Sequence, residues 1–242
     1  EVAVKAAQRL APLWACIEPC NRLVIPGGEG VKSLSRVEET IDWLLARSAT
    51  RSMLLVAVGG GALLDFLGFV ASIYKRGIPC VYVPTTLMAM IDASIGGKTA
   101  VDYAGVKNLL GAFSHPKAVM IDPQFLSTLP QEEILSGYWE LVKYGLLSSG
   151  DLWKEIKGFD PLGSIDSWLP FVKRSVALKE QFVEADFTDR GLRQWLNLGH
   201  TLGHGVEGLS HIRAQESSSR VLRHGEAVAI GLVCELYLSH VL

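Results

Sequence analysis

Charge of one sign, long apolar runs and a cysteine framework are all missing from this chain of 242 residues. A formal net charge of −2 leaves no basic field for nucleic acid or an anionic membrane surface to read. No apolar run reaches the ~18 residues that a transmembrane helix needs. The four cysteines, Cys16, Cys20, Cys80 and Cys234, complete no zinc pattern, because Cys16 and Cys20 have no second pair or histidine nearby. They read as reduced thiols of a cytoplasmic protein. Initiator methionine, signal peptide and internal repeat are absent too. The chain opens inside a helical pattern (Val2 to Trp14) and stops at Leu242 inside another, as the interior of a longer protein would.

What is there is a globular composition, 49% hydrophobic and 20% charged, enough to bury a sizeable core. Arg22-Leu-Val-Ile25 reads as a short strand, then a glycine-marked loop leads to Ser33 or Ser35, either of which could cap a helix ending near Arg47. Ser52 to Val58 is a continuous apolar run, the pattern of a strand buried on both faces. It runs into Gly59-Gly60-Gly61 and a helix from Ala62 to Tyr74. Strand, glycine turn and helix N-terminus is a phosphate-binding arrangement, although a tight turn alone would also use those glycines. Asp65, one turn into an otherwise apolar helix, suggests that a ligand hydroxyl is read there.

Ile78 to Val83 is the next strand, Pro84-Thr85-Thr86 a loop and cap, and Leu87 to Ile91 a helix leading to Asp92. Gly96-Gly97-Lys98 and Val106-Lys107-Asn108 read as loops whose lysines bind anions. Ala118 to Ile121 closes this part as a strand, with Asp122-Pro123 as a turn. Alternating strands and helices predict a parallel sheet with crossover helices, and ligands at the carboxyl ends of its strands. From Pro130 onward helix follows helix: Glu132 to Leu147, Asp151 to Lys157, Trp168 to Val183, Leu192 to Leu209 and His224 to Leu238. The expected organisation is an α/β domain with a parallel sheet over residues 1–129 and an all-α domain over residues 130–242. Gln215 to Arg220 is the one low-complexity stretch, read as a mobile polar loop.

Within Leu192 to Leu209 a single helix would project Arg193, Asn197, His200 and His204 from one side. Such a face is either a solvated stripe or the wall of a site, because burying it unpaired costs several kcal/mol. Glu140, His200 and His224, drawn from three helices, would form a three-ligand zinc site with an open position. A His200–His204 pair is the competing ligand set. Glu140 and Lys143 could equally be a surface ion pair, but their apolar neighbours argue for burial.

Together these stretches resemble the 3-dehydroquinate synthase family of sugar-phosphate cyclases. The motifs are Gly59-Gly-Gly-Ala-Leu-Leu-Asp65, Pro84-Thr-Thr-Leu, Asp92-Ala-Ser-Ile-Gly-Gly-Lys98, Lys107-Asn108, Glu140-Leu-Val-Lys143-Tyr-Gly, Gly191-Leu-Arg193, Asn197-Leu-Gly-His200-Thr-Leu-Gly-His204 and His224-Gly-Glu-Ala-Val. They occur in order from about Pro26 to Ala229. The resemblance implies a cytoplasmic, homodimeric lyase of the shikimate pathway that uses NAD and Zn2+ or Co2+. Such enzymes convert 3-deoxy-D-arabino-heptulosonate 7-phosphate to 3-dehydroquinate and phosphate by transient oxidation, elimination, re-reduction, ring opening and aldol closure.

By position, the resemblance makes Glu140, His200 and His224 the metal ligands. It puts Asp92, Lys98, Asn108, Lys143, Lys179, Arg193 and Asn197 on the substrate, with Arg76 reaching over from a partner subunit. Glu29, Lys32, Gly60, Gly61, Asp65, Thr85, Thr86, Lys107 and Thr128 fall at NAD positions. His204 falls at a proton-transfer position and Asp189 at an acid/base position, with Lys143, Arg193 and Asn197 beside them. The chain departs from the family at Leu64, usually glycine, at Asp189, usually glutamate, and in a longer segment between His204 and His224. The family's first strands and a C-terminal lysine are expected to lie outside this chain. Related readings are another sugar-phosphate cyclase, such as a 2-deoxy-scyllo-inosose synthase, and a metal-dependent polyol dehydrogenase of the same architecture.

Overall fold

A computed structural model describes residues 11–148, 150–217 and 220–242, so most of the helix expected over Val2 to Trp14 lies outside the described residues. The chain divides into two compact units, Glu1–Leu129 and Pro130–Leu242. In the first unit a short helix α1 (Ala11–Ala15) precedes α2 (Leu34–Ala46). Ser33 caps α2, its hydroxyl accepting from the Arg36 amide at 3.4 Å. Strands β1 (Leu55–Gly59), β2 (Cys80–Pro84) and β5 (Ala118–Val119) form a parallel sheet in the order β1-β2-β5. Helix α3 (Gly61–Ile73) crosses between the first two and buries Leu64, Phe66, Leu67 and Val70. That apolar face and the buried Ala57 and Tyr82 belong to the core of the unit. The parallel register sets Gly59 beside Pro84, so the glycine turn and Thr85 lie at the same end of the sheet.

Four expectations change in this unit. Arg22 to Ile25 forms no strand and pairs with none among the described residues, and Val24 is exposed. The stretches around Lys98 and Asn108 are not loops: β3 (Lys98–Tyr103) and β4 (Val106–Phe113) form an antiparallel hairpin. The glycines that suggested loops serve its entry and its turn. Gly96 and Gly97 have positive φ just before β3, and Ala104-Gly105 (φ 51° and 80°) make a two-residue turn of left-handed conformation. Alanine at the first turn position disguised the hairpin. The helix expected over Leu87 to Ile91 starts as such at Leu87 and Met88 but widens into a π-helix over Ala89–Ala93, which carries Asp92. Asp122 caps a 3₁₀ segment (Pro123–Thr128) where only a turn was expected.

The second unit is all helix among its described residues: α4 (Gln131–Leu147), α5 (Leu152–Lys157), α6 (Trp168–Ala185), α7 (His200–Glu216) and α8 (His224–Val241). Phe159 packs its ring centroid 4.8 Å from that of Trp168 and 4.4 Å from that of Phe171, both on α6. The amide of Gly225 donates to Ser136 Oγ at 3.0 Å and ties α8 to α4.

Leu192 to Leu209 is not one helix. Residues Leu192–Asn197 form a 3₁₀ segment, and α7 begins only at His200. Gly199 between them has φ 80°, and a Cβ there would lie 2.7 Å from Leu232 Cγ. The amides of Gly199 and Leu202 donate to the Glu235 carboxylate at 2.6 and 3.1 Å, capping α7 from α8. The single face proposed for Arg193, Asn197, His200 and His204 is therefore broken after Asn197. Gln215 and Glu216 also belong to α7 rather than to a loop, Ser218 and Ser219 lie outside the described residues, and Arg220 pairs with Glu226 at 2.8 Å. No helix among the described residues is long and apolar enough to cross a membrane.

Candidate functional site

Helix α4 presents Glu140 to the interior with 0% exposure. Among the described residues neither carboxylate oxygen has a well-formed hydrogen bond, although Lys143 Nζ stands 2.5 Å from Oε2. The other oxygen, Oε1, faces two imidazoles, 3.3 Å from His200 Nε2 and 3.5 Å from His224 Nε2. Burial alone would push the Glu140 carboxyl up. The Lys143 charge and the two histidines outweigh it and hold the carboxyl well below its usual value.

Each imidazole is anchored through its other nitrogen. His200 Nδ1 lies 3.2 Å from the Leu198 carbonyl oxygen, and His224 Nδ1 lies 3.1 Å from Glu207 Oε2. Burial pushes the His224 imidazolium down, but Glu140 and Glu207 overcome that and raise it to about 9. The two Nε2 atoms thus converge on the Glu140 oxygen.

These residues fit a divalent metal. Ligands bound at about 2.0–2.1 Å in a tetrahedron lie about 3.3 Å apart, which is the spacing between Oε1 and the two Nε2 atoms. An ion there would also satisfy the Glu140 oxygen that lacks a hydrogen bond. His204 keeps the competing set open: ring nitrogens of His200, His204 and His224 lie within 4.8 Å of one another. His204 is exposed, however, and its ring centroid is 5.4 Å from that of His200 and 5.7 Å from that of His224. It borders the centre on the solvent side.

The other expected residues of this unit stand as follows. Lys143 and Lys179 are buried on α4 and α6. Arg193 is 2% exposed, its guanidinium donating to the Phe187 carbonyl at 2.8 Å. Its segment is held by Asp186, which accepts from the amides of Arg190, Gly191 and Arg193 at 3.0, 2.6 and 3.2 Å. Asp189 takes a left-handed conformation (φ 58°), and Asn197 is exposed at the end of the 3₁₀ segment.

In the first unit, Gly60 is the N-cap of α3 and makes no side-chain cap hydrogen bond, the kind of helix start that can hold an anion. A Cβ at Gly60 or Gly61 would also lie 3.0 Å from Thr86 or Ala93, so packing demands glycine there as well. The Thr85 amide donates to the Gly59 carbonyl at 2.9 Å, and Thr86 Oγ1 accepts from the Ala89 amide at 3.2 Å. Lys32, 4% exposed, donates to Asp65 Oδ2 at 2.8 Å and to Asn108 Oδ1, which joins two expected NAD residues to an expected substrate residue. Asn108 has φ 55° and donates its amide to Asp102 Oδ1 at 2.7 Å. Lys98 and Lys107 are exposed on the hairpin, Asp92 sits on the π-turn, and Glu29 is exposed. Thr128 donates to the Phe125 carbonyl at 3.1 Å. Arg76 is exposed in a strained tip where Lys75, Arg76 and Gly77 all have positive φ.

Three residues at the helical centre escaped the sequence reading. Glu207 carries a signal, since it follows His200 by seven positions and His204 by three, on the same helix face. Asp186 could have been found as a loop-capping acid ahead of Gly191. Glu235 acts across two helices and leaves no local trace.

Residues 22–136 match the 3-dehydroquinate synthase N-terminal family model, and residues 137–242 match its C-terminal counterpart. The chain belongs to the 3-dehydroquinate synthase family. It is 45% identical over 212 residues to the 3-dehydroquinate synthase of Latilactobacillus sakei subsp. sakei, an alignment covering 87% of this chain and 58% of that protein. Similar coverage recurs with the enzyme of Pyrobaculum islandicum, 47% identical over 90% of this chain and 62% of that one. The chain therefore spans about three-fifths of the length of these curated relatives. Among solved structures, a 2-deoxy-scyllo-inosose synthase complexed with carbaglucose-6-phosphate, NAD+ and Co2+ superposes with a TM-score of 0.76 at 30% identity, over 87% of this chain and 56% of that one.

Proposed function

We propose that this chain supplies the nucleotide- and metal-binding parts of a 3-dehydroquinate synthase, a carbon–oxygen lyase of the cytoplasmic shikimate pathway. The substrate of that reading is 3-deoxy-D-arabino-heptulosonate 7-phosphate, and the products are 3-dehydroquinate and phosphate. One observation carries it: in a chain of this family, a buried carboxylate oxygen of Glu140 stands at metal-ligand spacing from His200 and His224. When bound, Zn2+ or Co2+ would acidify a substrate hydroxyl, and NAD would take up and return the hydride.

The chain's own residues then have definable tasks. Glu140, His200 and His224 hold the ion, with Lys143 neutralising the far oxygen of Glu140. The buried cations Lys143, Lys179 and Arg193 bind the anionic groups of the substrate, where low dielectric strengthens each contact. Asn197 orients hydroxyls, Asp189 holds the acid/base position, and His204 exchanges a proton from its exposed ring with the phosphate end. In the first unit, the amides after Gly60 and Gly61 take the NAD pyrophosphate. Glu29, Lys32, Asp65, Thr85, Thr86, Lys107 and Thr128 surround the cofactor, while Asp92, Lys98 and Asn108 face the substrate. A second copy of the chain in a homodimer would contribute Arg76.

Phosphate release from the heptulosonate phosphate tests the reading. It should require NAD, cease with chelator, and leave no NADH behind. Accumulating NADH would instead identify a polyol dehydrogenase, and turnover of a hexose phosphate in its place would identify a sibling cyclase.

A further inference from the structure

We propose that Glu207 is a positioning residue of the metal centre: its carboxylate accepts a hydrogen bond from Nδ1–H of His224 and thereby presents Nε2 to the ion. The proposal rests on the metal reading above and adds a residue to it. His224 is the first residue of α8, and about a third of its imidazole (32%) is exposed. Packing alone does not fix such a ring. Glu207 is buried on α7 with its Oε2 3.1 Å from His224 Nδ1, while the opposite nitrogen of the same ring is 3.5 Å from Glu140 Oε1.

A neutral imidazole has one N–H and one lone pair, so an acceptor on Nδ1 forces the lone pair onto Nε2. His200 is arranged in the same sense, with the Leu198 carbonyl at its Nδ1 and its Nε2 turned to Glu140. The acceptors differ in charge. A backbone carbonyl only orients His200, whereas an anionic carboxylate also makes the His224 ring a stronger donor to a cation. The spacing of Glu207 from His200 and His204 on α7 makes the device local: one helix carries a proposed ligand and the support of another.

Titration of the 242-residue chain with Co2+, followed by its visible absorption bands, tests the idea. Glu207→Met keeps the length of the side chain and removes the acceptor, and Glu207→Gln keeps an acceptor without the charge. The Met variant should lose ~10–100-fold in Co2+ affinity and shift the bands. The Gln variant should recover part of that affinity, with bands intermediate between the two. Far-ultraviolet circular dichroism should match the parent for both, which a merely structural role for Glu207 would not give. If the Met variant does not fold, the Gln variant decides by itself: affinity and bands equal to the parent's overturn the proposal. A parent chain that binds no Co2+ overturns the metal reading and this inference with it. Parental binding with unchanged variants overturns this inference alone.

Discussion

Lys143 and Glu140 sit one turn apart on α4 with side chains 1% exposed, so neither charge can be solvated if the other is removed. Breaking a buried pair by removing one member typically costs about 3–5 kcal/mol, whereas replacing both members can be nearly neutral. Glu140→Gln should therefore destabilise the chain by about that amount in urea denaturation. The double variant Glu140→Gln with Lys143→Met should regain most of the stability while still failing to bind metal. Equal stability of the two would mean that the pair is not the source of the cost. At Asp65 the residue-scale lesson is different. Its carboxylate looked in sequence like a reader of a ligand hydroxyl, yet it accepts from the buried Lys32. Whatever it contributes to a cofactor, it also holds the cation that bridges to Asn108.

At the scale of elements, the entry to α7 decides where His200 points. Gly199 has φ 80°, and a side chain there would press on Leu232. Gly199→Ala adds the left-handed penalty of about 1–2 kcal/mol to overpacking of about 1–3 kcal/mol. It should lower the urea midpoint and weaken metal binding together, because His200 is the next residue. Stability lost with metal affinity untouched would separate the break from the centre. The segment before it depends on acid. The backbone hydrogen bond from Arg190 above all, with those from Gly191 and Arg193 and the Arg193 charge, holds the Asp186 carboxyl below its ordinary value against the opposing effect of desolvation. Its folded value is thus lower than its unfolded one, so its support is complete above the usual carboxylate range, about pH 4, and fades as pH falls through the depressed value. The Gly191 and Arg193 amides should exchange hydrogen faster in that acid window, and Asp186→Asn should abolish the dependence.

These elements also show where sequence is an adequate guide. The apolar run at β1 and the buried face of α4 announce themselves, although the run is not buried on both faces as expected: Met53 and Leu54 are exposed ahead of β1, and within the strand only Ala57 is fully buried. The fold class, a parallel-sheet α/β part followed by a helical part, follows from such runs. The β3–β4 hairpin does not, since its turn is Ala104-Gly105 rather than an Asn-Gly signal, and its edge glycines look like loops. The break at Gly199 is equally silent: apolar periodicity continues across it, and its cause is Leu232 and Glu235 on another helix. For the candidate centre, residue types pointed to Glu140, His200 and His224, but their approach to one oxygen is a property of packing among three helices. Glu207 had a readable spacing and a purpose visible only beside His224.

Across the whole molecule, the proposed ligand groups divide as the chain does. Every proposed metal ligand and its supports fall in Pro130–Leu242, and every proposed NAD residue falls in Glu1–Leu129. A ligand stabilises the part it binds by RT ln(1 + [L]/Kd), about 2.7 kcal/mol at a hundredfold excess over Kd. If the two units open separately, each ligand should protect its own unit and leave the other nearly unchanged. Hydrogen exchange followed by peptide provides the measurement. Chelator should speed exchange in α4, α7 and α8 without affecting β1, β2 and α3. Added NAD should slow exchange around Gly59 to Gly61 and Thr85 without affecting α7. Protection of both units by either ligand would mean that the chain opens as one cooperative body. Protection confined to the wrong unit would reverse the assignments: NAD slowing α7 alone would remove the glycine turn as its site, and metal slowing β1 alone would remove Glu140, His200 and His224.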